Sequence, residues 1–135
     1  MIGLDTNVLV RNLAQDDAKQ ADIATRLIER ELSAAQTGFI SLVVLVEVLW
    51  VLQRLYAATQ SECLATVEDL LESSQFVLEQ RHVVQAATQR LRSQPGVKVG
   101  LSDVLIVEIG KAQGCEQTFS FDKVAVRSAG MTLLT

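Results

Sequence analysis

"SLVVLVEVLWVL", residues 41–52, is almost unbroken hydrocarbon with one carboxylate, Glu47, in its middle. Read as a helix at about 100° per residue, it places Val43 and Val51 on the face of Glu47, with Val44 and Trp50 beside it. No polar stripe is left for the carboxylate. Taking a lone carboxylate out of water costs several kcal/mol even after relaxation. Either a cation pairs with Glu47, Arg54 or Arg11 being the candidates, or the residue exists to bind something. The Arg54 pair has to stretch over about 10 Å of helix axis. The run is too short and too interrupted to span a membrane.

Working outward, the segment before it, "TGFI" at 37–40, reads as a short buried strand, and Ser41 is a fair N-cap for a helix over 41–57. The same alternation repeats along the chain. "MIGL" reads as a strand, "VLVRNL" as a short helix, and "DDAKQADIATRLIEREL" as a helix with Ala24, Leu27, Ile28 and Leu32 on one side. "QSECLATVEDLLES" is a further helix with Ser61 as its cap, and "FVL" a third strand. "QRHVVQAATQRLRS" is a helix stopped by Pro95-Gly96, and "SDVLIVEIGKAQG" a helix from Ser102 closed by Gly114. "QTFSF" and "MTLL" supply a fourth and a weaker fifth strand. Short apolar strands alternating with helices indicate an α/β fold: a mainly parallel sheet of four to five strands, covered on both faces. Ligands bind such folds beyond the carboxyl ends of the strands.

Composition bounds the rest. At 135 residues, 49% hydrophobic and 21% charged, the expectation is a single globular domain over 1–135. Its formal net charge of -4 argues against a broad basic surface for nucleic acid, so a polyanionic substrate needs local positive charge, which a metal can supply. "MIGLDTN" lacks the features of a signal peptide, and Cys63 and Cys115 form no CxxC. They read as two core thiols of a cytoplasmic protein with no membrane association. The only histidine, His82, reads as a solvated residue at a helix start, with no triad and no zinc site.

Four acids stand at telling places: Asp5 at the end of the first strand, Glu47, Asp103 opening the helix from Ser102, and Asp122 just past the fourth strand. Converging carboxylates raise at least one pKa unless a cation is present. An all-oxygen set suits Mg²⁺ or Mn²⁺ rather than zinc. Each acid has a plainer reading too. Asp5 suits an N-cap, Asp103 a helix start where acids are welcome, and Asp122 an ordinary turn.

"LDTN" at 4–7, "ISLVVLVEVLWVL" at 40–52, "SDVLI" at 102–106 and "SFDK" at 120–123, in that order and spacing, resemble the PIN-domain ribonucleases. Most closely they resemble the VapC toxins of bacterial toxin–antitoxin pairs, over essentially the whole chain. The resemblance implies a three-layer PIN-like fold. It makes Asp5, Glu47, Asp103 and Asp122 the acidic quartet, both catalytic and metal-ligating, with Thr6, Asn7 and Ser41 as polar neighbours lining the site. Two positions depart from the family pattern. Thr118-Phe119-Ser120 also fits the register of the last motif and sets a serine at the acidic place. Glu108 stands where the family tends to have a small apolar residue, and its rotation of about 140° from Asp103 makes it a surface or interface residue.

The resemblance implies Mg²⁺- or Mn²⁺-dependent endonucleolytic cleavage of RNA, leaving 5′-phosphate and 3′-hydroxyl ends. Because the catalytic groups are anionic, the RNA is held elsewhere; Lys98, Lys123 and Arg11 are the candidates, each also readable as a solvated charge. It further implies a homodimer and a cognate VapB-like antitoxin that blocks the acidic pocket. A helix apolar all round asks for more cover than one core gives, so some of Leu45, Leu49, Leu52 and Tyr56 either face a second subunit or lie deep within one domain. The rivals are a receiver-type Mg²⁺-binding α/β domain and a non-catalytic PIN-like RNA-binding or scaffold protein. The first needs a second acid adjacent to Asp5, which "LDTN" lacks, and the second is disfavoured by an intact acid set. No Gly-rich loop follows a strand, which disfavours a nucleotide-binding module.

Overall fold

A computed structural model describes residues 1–135 and divides into two compact units, Met1–Arg81 and His82–Thr135. The architecture is α/β, with every strand pairing parallel.

The first unit carries a three-stranded sheet in the order β1 (Ile2–Gly3), β2 (Gly38–Ile40), β3 (Phe76–Leu78). Each strand feeds a helix: α1 (Thr6–Ala14) after β1, and α3 (Leu42–Leu55) after β2. Parallel strands need such crossovers, because a tight turn cannot return the chain in the same direction. Gly38 sits where a side chain would collide, since a Cβ there would lie 2.7 Å from Leu4 Cδ1 and 2.9 Å from Leu32 Cδ1. Between β1 and β2, α2 (Ala18–Arg26) runs on into a π-helical turn over Leu27–Glu31. The Gln75 side chain donates to the carbonyls of Ile28 (2.9 Å) and Leu32 (3.2 Å), satisfying acceptors that a helix end leaves bare.

Ser41 caps α3 as expected, its hydroxyl accepting from the Val44 N–H at 3.2 Å. The cap of α4 (Gln60–Glu72) is Thr59 and not Ser61. Thr59 and Glu62 form a reciprocal capping box, which satisfies two backbone donors where a lone serine satisfies one. α3 packs with α1 and α4 and buries Leu45, Val48, Leu49 and Leu52. Of the two readings for Leu45, Leu49, Leu52 and Tyr56, a second subunit or burial within the domain, burial holds for the leucines. The three leucines are core, and the Tyr56 hydroxyl hydrogen-bonds to Asp16. The face of α3 that remains open carries Val43 (76% exposed) and Trp50 (57%), with Leu55 exposed at its end.

The second unit contains most of α5 (Arg81–Arg92), then α6 (Leu101–Ala112), and a two-stranded sheet of β4 (Phe119–Ser120) and β5 (Thr132–Leu133). The five expected strands therefore fall into sheets of three and two. α6 starts at Leu101 with Gly100 in the N-cap position, so Ser102 and Asp103 lie in its first turn. Gly114 closes the helix in the left-handed conformation at φ 92°. Between β4 and β5, a π-helical turn over Ala125–Ala129 ends at Gly130. Its buried residues, Ala125 and Ala129, are small enough for the tight packing of that turn. Cys63 is a buried thiol as expected, whereas Cys115 is exposed. No helix is long and apolar enough to cross a membrane.

Candidate active site

In the first unit the carboxyl end of the sheet is polar. Asp5 follows β1, occupies the N-cap position of α1 in extended geometry, and makes no side-chain cap bond. Its exposed carboxylate is thus not used by the helix it precedes. Thr6 is buried in the first turn of α1, and Asn7 beside it is exposed. Ser41 follows β2 and is occupied as the α3 cap.

One acid at this end was missed. Glu79, directly after β3, accepts from the Leu42 N–H at 2.8 Å while its own N–H donates to the Ile40 carbonyl at 2.9 Å. The only signal for it in the sequence was its place after a strand, the one that picked out Asp5.

Glu47 is exposed, and neither proposed ion pair forms. Arg54 lies over the Trp50 ring at 5.9 Å, a cation–π arrangement. Arg11 donates from Nε to Gln20 at 2.7 Å and pairs with Asp16 at 3.2 Å. The premise of a dehydrated glutamate fails because the open face of α3 is apolar without being covered. Glu47 stands in water among Val43, Val46 and Trp50, lining a shallow groove. Arg11 lines a separate cavity of about 300 Å³ with Asn7, Val8, Gln20, Ile23, Ala24 and Leu27. Asp16, outside that lining, has its carboxyl held below its usual value by the Tyr56 hydroxyl and Arg11, and the same bond raises the Tyr56 phenol.

In the second unit two of the acids meet. Asp103, half-buried in the first turn of α6, has its carboxyl raised by burial and further by the negative charge of Asp122.

Asp122 is held firmly. Its Oδ1 accepts from the N–H groups of Val124 (2.8 Å) and Ala125 (3.3 Å), capping the following helical turn, and its own N–H donates to Ser120 Oγ at 2.9 Å. That leaves its second carboxylate oxygen without a protein donor. Ser120, the other register of the motif, lies within β4 and serves to orient Asp122. Lys98 and Lys123 are exposed, as is His82.

Glu108 is half-buried rather than fully solvated. Its side chain is 17% exposed and pairs with Arg90 at 3.5 Å and Lys111 at 3.7 Å. The helical rotation was read correctly; what it turned Glu108 toward was the guanidinium of Arg90.

The donor chemistry is all carboxylate oxygen, hard ligands of the type Mg²⁺ and Mn²⁺ prefer. The Asp103–Asp122 repulsion is the feature a cation relieves. No group of three or more His, Cys, Asp or Glu side chains that could hold a metal ion is formed.

A search of curated proteins finds no match. A family model described as PIN domain matches residues 2–130, which takes in both units and all four acids. The chain belongs to the PIN-domain family.

Proposed function

We propose that this PIN domain is a Mg²⁺- or Mn²⁺-dependent endoribonuclease and the VapC-type toxin of a toxin–antitoxin pair. PIN domains are generally metal-dependent nucleases. The observation that carries the reading to this chain is the approach of Asp122, fixed by two backbone donors, to half-buried Asp103, whose carboxyl is raised by burial and further by the Asp122 charge. Such repulsion is unfavourable in a protein with no use for it.

In this reading Asp5, Glu47, Asp103 and Asp122 make up the acidic set that holds the ion and does the chemistry. A bound Mg²⁺ or Mn²⁺ supplies Lewis acidity to a phosphate oxygen and acidifies a water. A carboxylate of the set not engaged by the ion would accept a proton from the attacking water. Asp122 brings its oxygen in a fixed direction, because its other oxygen is pinned by two backbone donors. Thr6, Asn7 and Ser41 are the polar neighbours. Lys98 and Lys123 hold RNA phosphates, with Arg11 a lesser contributor because Asp16 and Gln20 already occupy its guanidinium.

A basic segment of a VapB-like antitoxin occupies the acidic site, and the exposed Val43, Trp50 and Leu55 of α3 serve a homodimer. We place the protein in the cytoplasm. The test is incubation with structured RNA and Mn²⁺. Discrete fragments with 5′-phosphate ends, abolished by EDTA, are expected; cleavage at full rate in EDTA contradicts the reading.

A further inference from the structure

The geometry points to Arg90 as a positioning residue that sets the spacing of Asp103 and Asp122. The inference rests on the metal-site reading above and adds a residue to it. Two elements determine that spacing. One is α6, which carries Asp103 in its first turn and Glu108 about 7.5 Å further along its axis. The other is the helical turn that Asp122 caps and that ends at Ala129.

Arg90, on α5, grips both. Its Nη1 lies 3.5 Å from Glu108 Oε1, and its Nη2 donates to the Ala129 carbonyl. One planar fork thus ties the helix of one acid to the far end of the turn headed by the other. A lysine, a point donor on a flexible stem, cannot reproduce two fixed directions at once.

Gly130 completes the arrangement. Its φ of 85° is a conformation L side chains rarely adopt, and a Cβ there would come within 3.0 Å of Arg90 Nη2. Glycine lets the turn end so that the Ala129 carbonyl meets the guanidinium.

Stability alone is a poor reason for this node. Nη1 is enclosed with no hydrogen bond of its own, so Glu108 compensates it by charge only. Half-buried ion pairs of this kind are often matched or bettered by apolar residues of similar volume. A defined geometry is what the pair adds.

The experiment measures Mn²⁺ binding, without RNA, by the paramagnetic resonance of the free ion. It compares wild type, Arg90→Lys, Glu108→Gln and the exchange Arg90→Glu/Glu108→Arg at 25 °C, well below their melting temperatures. Loss of residues that orient metal ligands typically weakens binding by roughly tenfold or more, and that is expected for Arg90→Lys. Glu108→Gln, nearly isosteric, is expected to weaken binding less while keeping the fold. The exchange keeps opposite charges at the two positions but removes the donor to Ala129, so Mn²⁺ affinity is expected to stay weakened by roughly tenfold or more; recovery to within twofold of wild type overturns the inference. Mn²⁺ affinity within twofold of wild type in both single variants overturns the inference, whatever their melting temperatures. Failure of the wild type to bind Mn²⁺ overturns the metal centre and this inference together; wild-type binding with unchanged variants overturns this inference alone.

Discussion

Asp122 stands close enough to Asp103 for its charge to add to the effect of burial, and together they raise the Asp103 carboxyl above its ordinary value of 3.8. A group that holds its proton more tightly when folded contributes stability that is full below the unfolded pKa. That contribution is lost as pH rises through the folded one. Metal-free stability should therefore carry a component that falls as pH rises above the ordinary aspartate range. The readout is the difference in thermal midpoint between wild type and Asp103→Asn, in EDTA, across the acid limb. Taking the difference matters because the lowered carboxyls of Asp16 and Glu62 act in the opposite sense. The variant is expected to gain on the wild type as pH rises; a constant difference contradicts a raised Asp103 carboxyl.

The exposure of Glu47 changes what its neutralisation should do. With no buried partner to strand, Glu47→Gln should alter stability in EDTA by no more than about 0.5 kcal/mol. Cleavage should be lost. Added Mg²⁺ should raise the melting temperature of the wild type, since a ligand that binds only the native state shifts unfolding by mass action. It should raise that of the variant much less. A large drop for Glu47→Gln in EDTA would mean the carboxylate is structural.

How far the sequence could be read is visible in these same residues. The order of strands and helices follows from local hydrophobic period, and the Ser41 cap and the Gly114 stop follow from backbone chemistry. Those readings agree with the structure. The exposure of Glu47, the burial of Leu45 and Leu49 and the pairing of Glu108 with Arg90 depend on which face of a helix meets a neighbour. A helix apolar on every side carries no period from which to read that. Glu79 went unnoticed because a carboxylate accepting from the first N–H of α3 requires β3 to lie beside β2, a long-range fact.

Gly38 tests the sheet. Gly38→Ala drives a methyl against the terminal methyls of Leu4 and Leu32, both buried, which must shift to admit it. Overpacking of this kind costs about 1–3 kcal/mol. Urea midpoints of the two proteins check it, and an unchanged midpoint would mean that β1 and β2 are not packed as described.

The proposed antitoxin contact is electrostatic. An arginine-bearing peptide that occupies the acidic site competes with metal, so its affinity should fall as Mg²⁺ is raised and should fall again in Asp103→Asn. Calorimetric titration at several Mg²⁺ concentrations reads this directly. Affinity indifferent to both places the peptide elsewhere on the protein.

The most direct test of the central claim is the single-turnover rate of RNA cleavage in Mn²⁺ for wild type and for Asp5→Asn, Glu47→Gln, Asp103→Asn and Asp122→Asn. Circular dichroism confirms the fold of each protein. The account predicts discrete, EDTA-sensitive cleavage by the wild type and a loss of roughly a hundredfold or more in every variant, each a group that would hold the cation or accept the proton on which the transition state depends. Cleavage at near wild-type rate by folded Asp103→Asn or Asp122→Asn would contradict it.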